Sequence, residues 1–94
     1  MPFMELTKTY KISEQSFSTS LQEEVVILHY EQGKYYSLEN IGIVIWETLQ
    51  KNPSTMAELS EIVMQQYEID EATCQKDILA FLKDLENEKL IKST

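Results

Sequence analysis

Cys74 and His29 are the only cysteine and the only histidine among the 94 residues, and they are the side chains best suited to nucleophilic or metal chemistry. A nucleophilic site needs a nucleophile, a base and an orienting group within hydrogen-bond reach. The sequence places Cys74 in the first turn of a predicted helix, where a thiol can be activated, and His29 on a predicted strand. Neither has other ligands or catalytic groups at a suitable spacing. We interpret both as core residues, with a redox or nucleophilic Cys74 and a metal-binding His29 as the alternatives.

Motifs for cofactors are also missing from the sequence. Two glycines are too few for a Gly-rich loop that cradles phosphate groups, and neither a CxxC nor an HxxxH pair occurs. The many carboxylates are spread over positions that read as solvated helix faces. We therefore expect no enzyme activity, no cofactor and no metal.

Composition narrows the range of partners. The net charge of -8 repels nucleic acid and anionic lipid. A single cysteine cannot form an intramolecular disulfide, and the first residues lack the pattern of a signal peptide. No apolar run approaches the roughly 20 residues that span a bilayer. We expect one ordered domain over residues 1–94, cytoplasmic, without nucleic acid or membrane as a partner.

The first half of the chain has the pattern of strands. Residues 8–13 alternate polar and apolar side chains, which predicts a first strand, and the polar stretch Glu14–Glu24 is interpreted as a loop. The β-branched run Val25–Tyr30 then leads to Gly33, where a turn can use positive φ. Lys34–Leu38 is predicted to return antiparallel, so these two runs form a hairpin.

The second half has helical spacing. A first helix is predicted over Glu39–Lys51, and Pro53 prevents its continuation. Thr55 and Glu58 form a capping box at the start of a second helix. Asp70 is predicted to cap a third helix that ends near Glu88. The expected fold is α+β and winged-helix-like, with a three-stranded antiparallel sheet followed by three helices.

A binding site is predicted where the hairpin meets the third helix. Tyr35 and Tyr36 must point to opposite faces of a short strand, either as a packing pair or as part of an open edge that captures an extended peptide. Asp77 lies beside the apolar face of the third helix, where it either flanks a docked ligand or acts as an ordinary surface acid paired with Lys76 or Lys83. The wall facing the edge would consist of Cys74, Ile78 and Phe81.

Three blocks of this sequence resemble the PqqD-like recognition elements of ribosomally synthesised peptides, and most closely the stand-alone leader-binding proteins of lasso-peptide biosynthesis. The likeness covers nearly the whole chain. The residues that carry it are Glu24-Val25-Val26-Ile27-Leu28; Gly33-Lys34-Tyr35-Tyr36-Ser37-Leu38 with Gly42, Ile45, Trp46 and Leu49; and Thr73-Cys74 with Asp77, Ile78, Phe81, Leu82 and Leu85.

The resemblance implies a non-catalytic adaptor that binds the leader region of a precursor peptide. The leader would add as a strand beside the hairpin and lie against the third helix. The adaptor would present it to a cysteine-protease leader peptidase and to an ATP-dependent macrolactam synthetase. Carried over to this sequence, the implied peptide-binding residues are Lys34, Tyr35, Tyr36, Ser37, Leu38, Cys74, Asp77, Ile78 and Phe81.

The sequence departs from this family at two positions where members often have glycine, which are occupied here by Glu23 and Lys89. Members also serve other classes of modified peptide, including pyrroloquinoline quinone, so a different product class is one alternative. A winged helix that reads DNA is another, although its reading helix would carry mostly acidic residues. A domain that dimerises through the same open edge is the third.

Overall fold

The computed structural model describes residues 8–93 and contains six strands and three helices. The first four elements are strands, and the rest of the described chain contains all three helices and two short strands. The strands are β1 (Thr9–Ile12), β2 (Ser16–Leu21), β3 (Glu24–His29), β4 (Lys34–Leu38), β5 (Ser54–Thr55) and β6 (Ile91–Ser93). The helices are α1 (Ile41–Lys51), α2 (Met56–Gln66) and α3 (Glu71–Asn87).

Strands β2, β3 and β4 form an antiparallel sheet in that order, which we name the hairpin sheet. The predicted fold class, α+β with a three-stranded antiparallel sheet before three helices, is confirmed, and winged-helix-like describes it loosely. The interpretation of Glu14–Glu24 as a loop is wrong, because Ser16–Leu21 is a strand that pairs along its whole length with β3. Its serines and threonine carry little hydrophobic alternation, so the pairing with β3 has to supply the order.

The hairpin between β3 and β4 is confirmed. Its turn shows which backbone groups of β4 point away from β3. Gly33 takes a φ of 64° and donates its N–H to the carbonyl oxygen of His29 at 2.8 Å. The carbonyl of His29 therefore points toward β4, which makes His29 and Lys34 a hydrogen-bonded pair. Because such pairs alternate along an antiparallel ladder, the backbone groups of Tyr35 and Ser37 point away from β3.

The first predicted strand is present as Thr9–Ile12 but belongs to a second sheet, which we name the terminal sheet. Its order is β5-β1-β6, with β1 antiparallel to both neighbours. Strand β5 has two residues and β6 has three, so neither is long enough to show a period in the sequence. This sheet joins the two ends of the described chain, because β1 pairs with β6.

Helices α2 and α3 begin at the residues that their capping signals predict. Thr55 accepts from the N–H of Glu58 at 3.2 Å while the Glu58 carboxylate accepts from the N–H of Thr55 at 2.8 Å, which completes the capping box. The Asp70 carboxylate accepts from the N–H of Thr73 at 3.0 Å, and this bond lowers the pKa of Asp70. Helix α1 starts two residues later than predicted, at Ile41.

Helix α3 ends in a left-handed residue that is not glycine. Lys89 has a φ of 63°, and Leu90 donates its N–H to the carbonyl of Leu85 at 2.9 Å. Together with the bond from the Lys89 N–H to the Glu86 carbonyl, this is a Schellman motif, which usually places glycine at that position. The turn expected of glycine is thus made here by lysine.

One hydrophobic core joins the inner face of the hairpin sheet to all three helices. Trp46 is 1% exposed and donates its indole N–H to the hydroxyl of Ser18 at 3.0 Å, which fixes α1 against β2. Leu90 and Ile91 are buried. In α2, Leu59 and Val63 lie in the core, whereas Ile62 is half-buried and Tyr67 is exposed. The other large buried side chains include Tyr10, Ile27, Ile45, Met56, Ile78 and Leu82.

Candidate functional site

Among residues 8–93, strand β4 pairs only with β3, so it is an edge strand of the hairpin sheet, and its two faces differ. Tyr36 and Leu38 point toward the helices, and Leu38 is buried. Tyr35 points to the outer face and is 72% exposed, so it does not face the helices. Tyr35 and Ser37 have their backbone N–H and carbonyl groups on the side away from β3. An open edge of this kind can pair with an extended chain.

A cavity of about 450 Å³ lies directly beside this edge, between β4, the start of α1 and the middle of α3. We name it the β4 groove. Its most buried lining residues, Leu38, Ile45 and Ile78, are apolar. The described residues that line it are Ser37, Leu38, Glu39, Asn40, Ile41, Gly42, Ile45, Asp77, Ile78 and Phe81.

Five of the nine predicted site residues line this groove. Ser37 and Leu38 contribute the end of β4. Asp77, Ile78 and Phe81 contribute α3, where their spacing of one turn puts them on the same side of the helix. Lys34 and Tyr35 are exposed elsewhere on β4 and do not line the groove, and neither do Tyr36 and Cys74.

Cys74 lies in the core, one turn before Ile78 on α3, where α2 covers it. It is 1% exposed, and its thiol donates to the carbonyl oxygen of Ser60 at 3.7 Å, which ties α3 to α2. Burial, and to a lesser extent the negative charge of Asp77, raises the pKa of Cys74. The thiol therefore stays protonated at neutral pH, which opposes the nucleophile alternative and agrees with packing as its role.

Tyr36 links β4 to the C-terminal end of α3. Its hydroxyl donates to the Glu88 carboxylate at 2.7 Å. This hydrogen bond raises the pKa of Tyr36, because ionising the phenol would break it and place two negative charges together. Tyr36 thus holds the edge strand at a fixed distance from the end of α3.

The sequence interpretation missed the contribution of α1 to the site. Ile41, Gly42 and Ile45 belong to its first turns, and Glu39 and Asn40 connect it to β4. The signal was present in the sequence, since Ile41 and Ile45 share one helical face directly after the predicted edge strand. An apolar helix face that follows an edge strand at once is well placed to line that edge.

Both charged residues among the described lining residues are acidic. Glu39 and Asp77 lie at the rim, and the floor consists of Leu38, Ile45 and Phe81 with neighbours of the same character. Within residues 8–93 no cluster of His, Cys, Asp and Glu is arranged to hold a metal ion. The same part of the chain contains no helix long and apolar enough to cross a bilayer.

An open strand edge beside an apolar groove defines a class of small α+β domain that can accept an added strand. The sequence comparison then identifies the family. Residues 24–91 match the family described as Coenzyme PQQ synthesis protein D (PqqD), so the chain belongs to the PqqD family. The resemblance inferred from the three sequence blocks is confirmed.

Two solved structures are similar to this chain. TbiB1 in complex with the TbiA(beta) leader peptide has 32% sequence identity and a TM-score of 0.83, over 87% of this chain and 94% of that chain. Lasso peptide synthetase B1 complexed with the leader peptide has 15% identity and a TM-score of 0.74, over 88% and 96% of the two chains, and shares the fold. No curated protein matches the chain significantly.

Proposed function

We propose that this protein is a non-catalytic adaptor that binds the leader segment of a ribosomally synthesised precursor peptide in lasso-peptide biosynthesis. The observation that carries the proposal is the open edge of β4 directly beside an apolar cavity of about 450 Å³. Membership of the PqqD family and the likeness to TbiB1 with its leader peptide support it. The adaptor would present the leader to a separate cysteine protease and to an ATP-dependent macrolactam synthetase.

Binding would use two kinds of contact. The outward N–H and carbonyl groups of Tyr35 and Ser37 would form hydrogen bonds with the backbone of the added strand, which gives affinity without regard to sequence. Alternate side chains of that strand would point into the groove, because successive residues of a strand face opposite sides. The apolar floor would therefore select an apolar residue of the leader.

Charge would add a second level of selection. Glu39 and Asp77 at the rim, and the net charge of -8, favour a leader with a basic residue near its apolar anchor. The effect of exposed charges is small and falls with salt, so we assign it to steering and register more than to affinity.

The proposal is tested by titrating ¹⁵N-labelled protein with two synthetic peptides. One is the TbiA(beta) leader peptide, and the other is the leader region of a precursor peptide to be sought in the reading frames next to this gene. Amide shifts should cluster at Tyr35 to Leu38, at the start of α1 and at Asp77 to Phe81. A failure of both peptides to bind, or shifts centred on another surface, would overturn the proposal.

Sedimentation of the free protein and of the complex separates peptide binding from self-association. A leader-binding adaptor should sediment as one species whose mass rises only by that of the peptide. A mass that doubles with protein concentration and falls when peptide is added would instead indicate that two copies pair through the β4 edge.

A further inference from the structure

Gly42, in the first turn of α1, lies close to the ring of Phe81. A Cβ atom built on Gly42 would lie 3.2 Å from Cζ and 3.4 Å from Cε1 of Phe81, and 3.5 Å from Cβ of Leu38. The first distance is tighter than an ordinary carbon contact, whereas the last is normal. An alanine at this position would therefore require the ring of Phe81 to move.

The β4 groove is the open side of that ring. Phe81 is half-buried against the core and lines the groove, and Ile78 beneath it is fully buried. A close-packed interior gives little room for a displaced ring, so the ring can yield only toward the groove. A methyl group on residue 42 would thus reduce the space available to a ligand.

Backbone conformation does not explain this glycine. Gly42 lies inside α1 and, unlike Gly33, has no left-handed φ. A glycine in a helix weakens that helix relative to alanine. The close approach of the Phe81 ring is therefore the physical reason that the structure offers for glycine at residue 42.

We infer that Gly42 sets the size limit of the apolar subsite in the β4 groove, by letting the edge of the Phe81 ring approach the backbone of α1 closely. The inference rests on the proposed function and adds the class of side chain that the subsite takes. With Gly42 in place, the subsite accepts a large apolar side chain of the leader. With alanine there, it accepts only a smaller one.

The test is a double-mutant cycle on residues 42 and 81, measured by fluorescence anisotropy with the two labelled leader peptides named above. Gly42→Ala should weaken binding about tenfold, the range reported for one misfitting methyl group in an apolar pocket. In a Phe81→Leu background, which removes the ring atoms near residue 42, the same change should weaken binding less than about twofold. Glu47→Ala, on the exposed side of α1, is the matched control and should leave affinity unchanged.

Stability and selectivity distinguish a size limit from simple damage to the fold. The Tm of Gly42→Ala should equal or exceed that of the wild type, because alanine favours the helix. Leader variants in which the anchoring apolar residue is cut back to alanine should lose the difference between wild type and Gly42→Ala. Equal binding by wild type and Gly42→Ala, or the same loss in both residue-81 backgrounds, would overturn the inference while leaving leader binding intact. Absence of binding to the wild type would instead remove the proposed function itself.

Discussion

Among residues 8–93, the hairpin sheet has two edge strands, β2 and β4, and a cavity lies beside each of them. The β4 edge faces a cavity of about 450 Å³ lined by residues such as Leu38, Ile45 and Phe81. The β2 edge also has a cavity beside it, of about 490 Å³, which we name the β2 groove. The described residues that line the β2 groove are Lys11, Ile12, Ser16, Phe17, Ser18, Trp46, Leu49 and Gln50.

The two grooves differ in what their polar groups already bind. Ser18 on β2 accepts hydrogen bonds from the indole of Trp46 at 3.0 Å and from the amide of Gln50 at 2.8 Å, which bridge β2 to α1. On the β4 side, no such side-chain bridge lies between Ser37 or Leu38 and α3 among the bonds of residues 8–93. Because the polar groups beside β2 are already bridged to α1, we expect an added strand to pair with the β4 edge instead of the β2 edge.

The largest expected effect comes from a charge in the wall of the β4 groove. Phe81→Asp should weaken leader binding by about 100-fold or more, because a carboxylate would be desolvated beneath an apolar side chain of the ligand. Phe81 is only half-buried, so the variant should fold, whereas Ile78→Asp would place a charge in the core. Anisotropy with the labelled leader peptides measures the loss, and circular dichroism checks the fold.

Gln50→Asp in the β2 groove is the matched control for this change. It introduces the same side chain at an exposed position beside the other edge, and affinity should stay within about twofold of wild type. Comparable losses from Phe81→Asp and Gln50→Asp would mean that the two edges are not distinguished by their walls.

A proline on the β4 edge gives the next largest effect. Ser37→Pro removes an N–H that points away from β3, so it should weaken leader binding about tenfold at a modest cost in stability. Tyr36→Pro would instead remove an N–H that bonds β3 and is the poorer test. Ser37→Ala isolates the loss of the Ser37 hydroxyl, which donates to the Glu24 carboxylate.

The corresponding change on the other edge is Ser20→Pro. Ser20 lies on β2 opposite Val25, and its N–H also points away from β3. Binding by Ser20→Pro should match wild type. A loss at Ser20 as large as that at Ser37 would place the added strand on β2.

Removing the rim charge should have a smaller effect. Asp77→Asn should weaken binding of a leader with a basic residue by about two- to fivefold at low salt, and the difference should vanish at high salt. Asp84→Asn, an exposed acid further along α3, is the control and should change nothing. An effect of Asp77→Asn that is independent of salt would contradict the electrostatic role.

The smallest effect concerns the bond that holds β4 to the end of α3. Because Glu88 raises the pKa of Tyr36, the stability from this bond is present below the usual tyrosine pKa and is lost as pH rises through the raised value. The Tm of the wild type should therefore fall more steeply above about pH 10 than that of Tyr36→Phe. Tyr35→Phe, on the exposed outer face, should follow the wild type, and parallel curves for all three proteins would exclude the role of the bond.

The sequence predicted those parts of the fold whose signals are local. The hairpin depends on a β-branched run and on Gly33, and the helix starts depend on the capping groups of Thr55 and Asp70, all within a few residues of each other. Strand β2 was missed because its residues are mostly hydroxylic and its Phe17 is 57% exposed, so the periodic signal of a buried face is absent. The partners of β1 were not predictable, since β5 and β6 lie more than 40 residues away and are very short.

The site residues were likewise predicted where local spacing determines their position. Asp77, Ile78 and Phe81 meet β4 because helical spacing puts them on one side of α3. Cys74 has a similar spacing but lies one turn nearer the start of α3, where α2 covers it. Which part of a helix face stays open depends on the packing of another helix, and no local pattern in the sequence records that.

Asn40 and Lys89 both have positive φ, at 54° and 63°, and they stand where β4 passes into α1 and where α3 ends. Residues other than glycine pay roughly 1–3 kcal/mol for such backbone conformations. The protein thus holds conformational strain at two boundaries of the elements that form its groove. Glycine at either position would relax the backbone. Such a substitution should therefore raise the Tm of the protein while every contact that α3 makes in the groove wall stays in place.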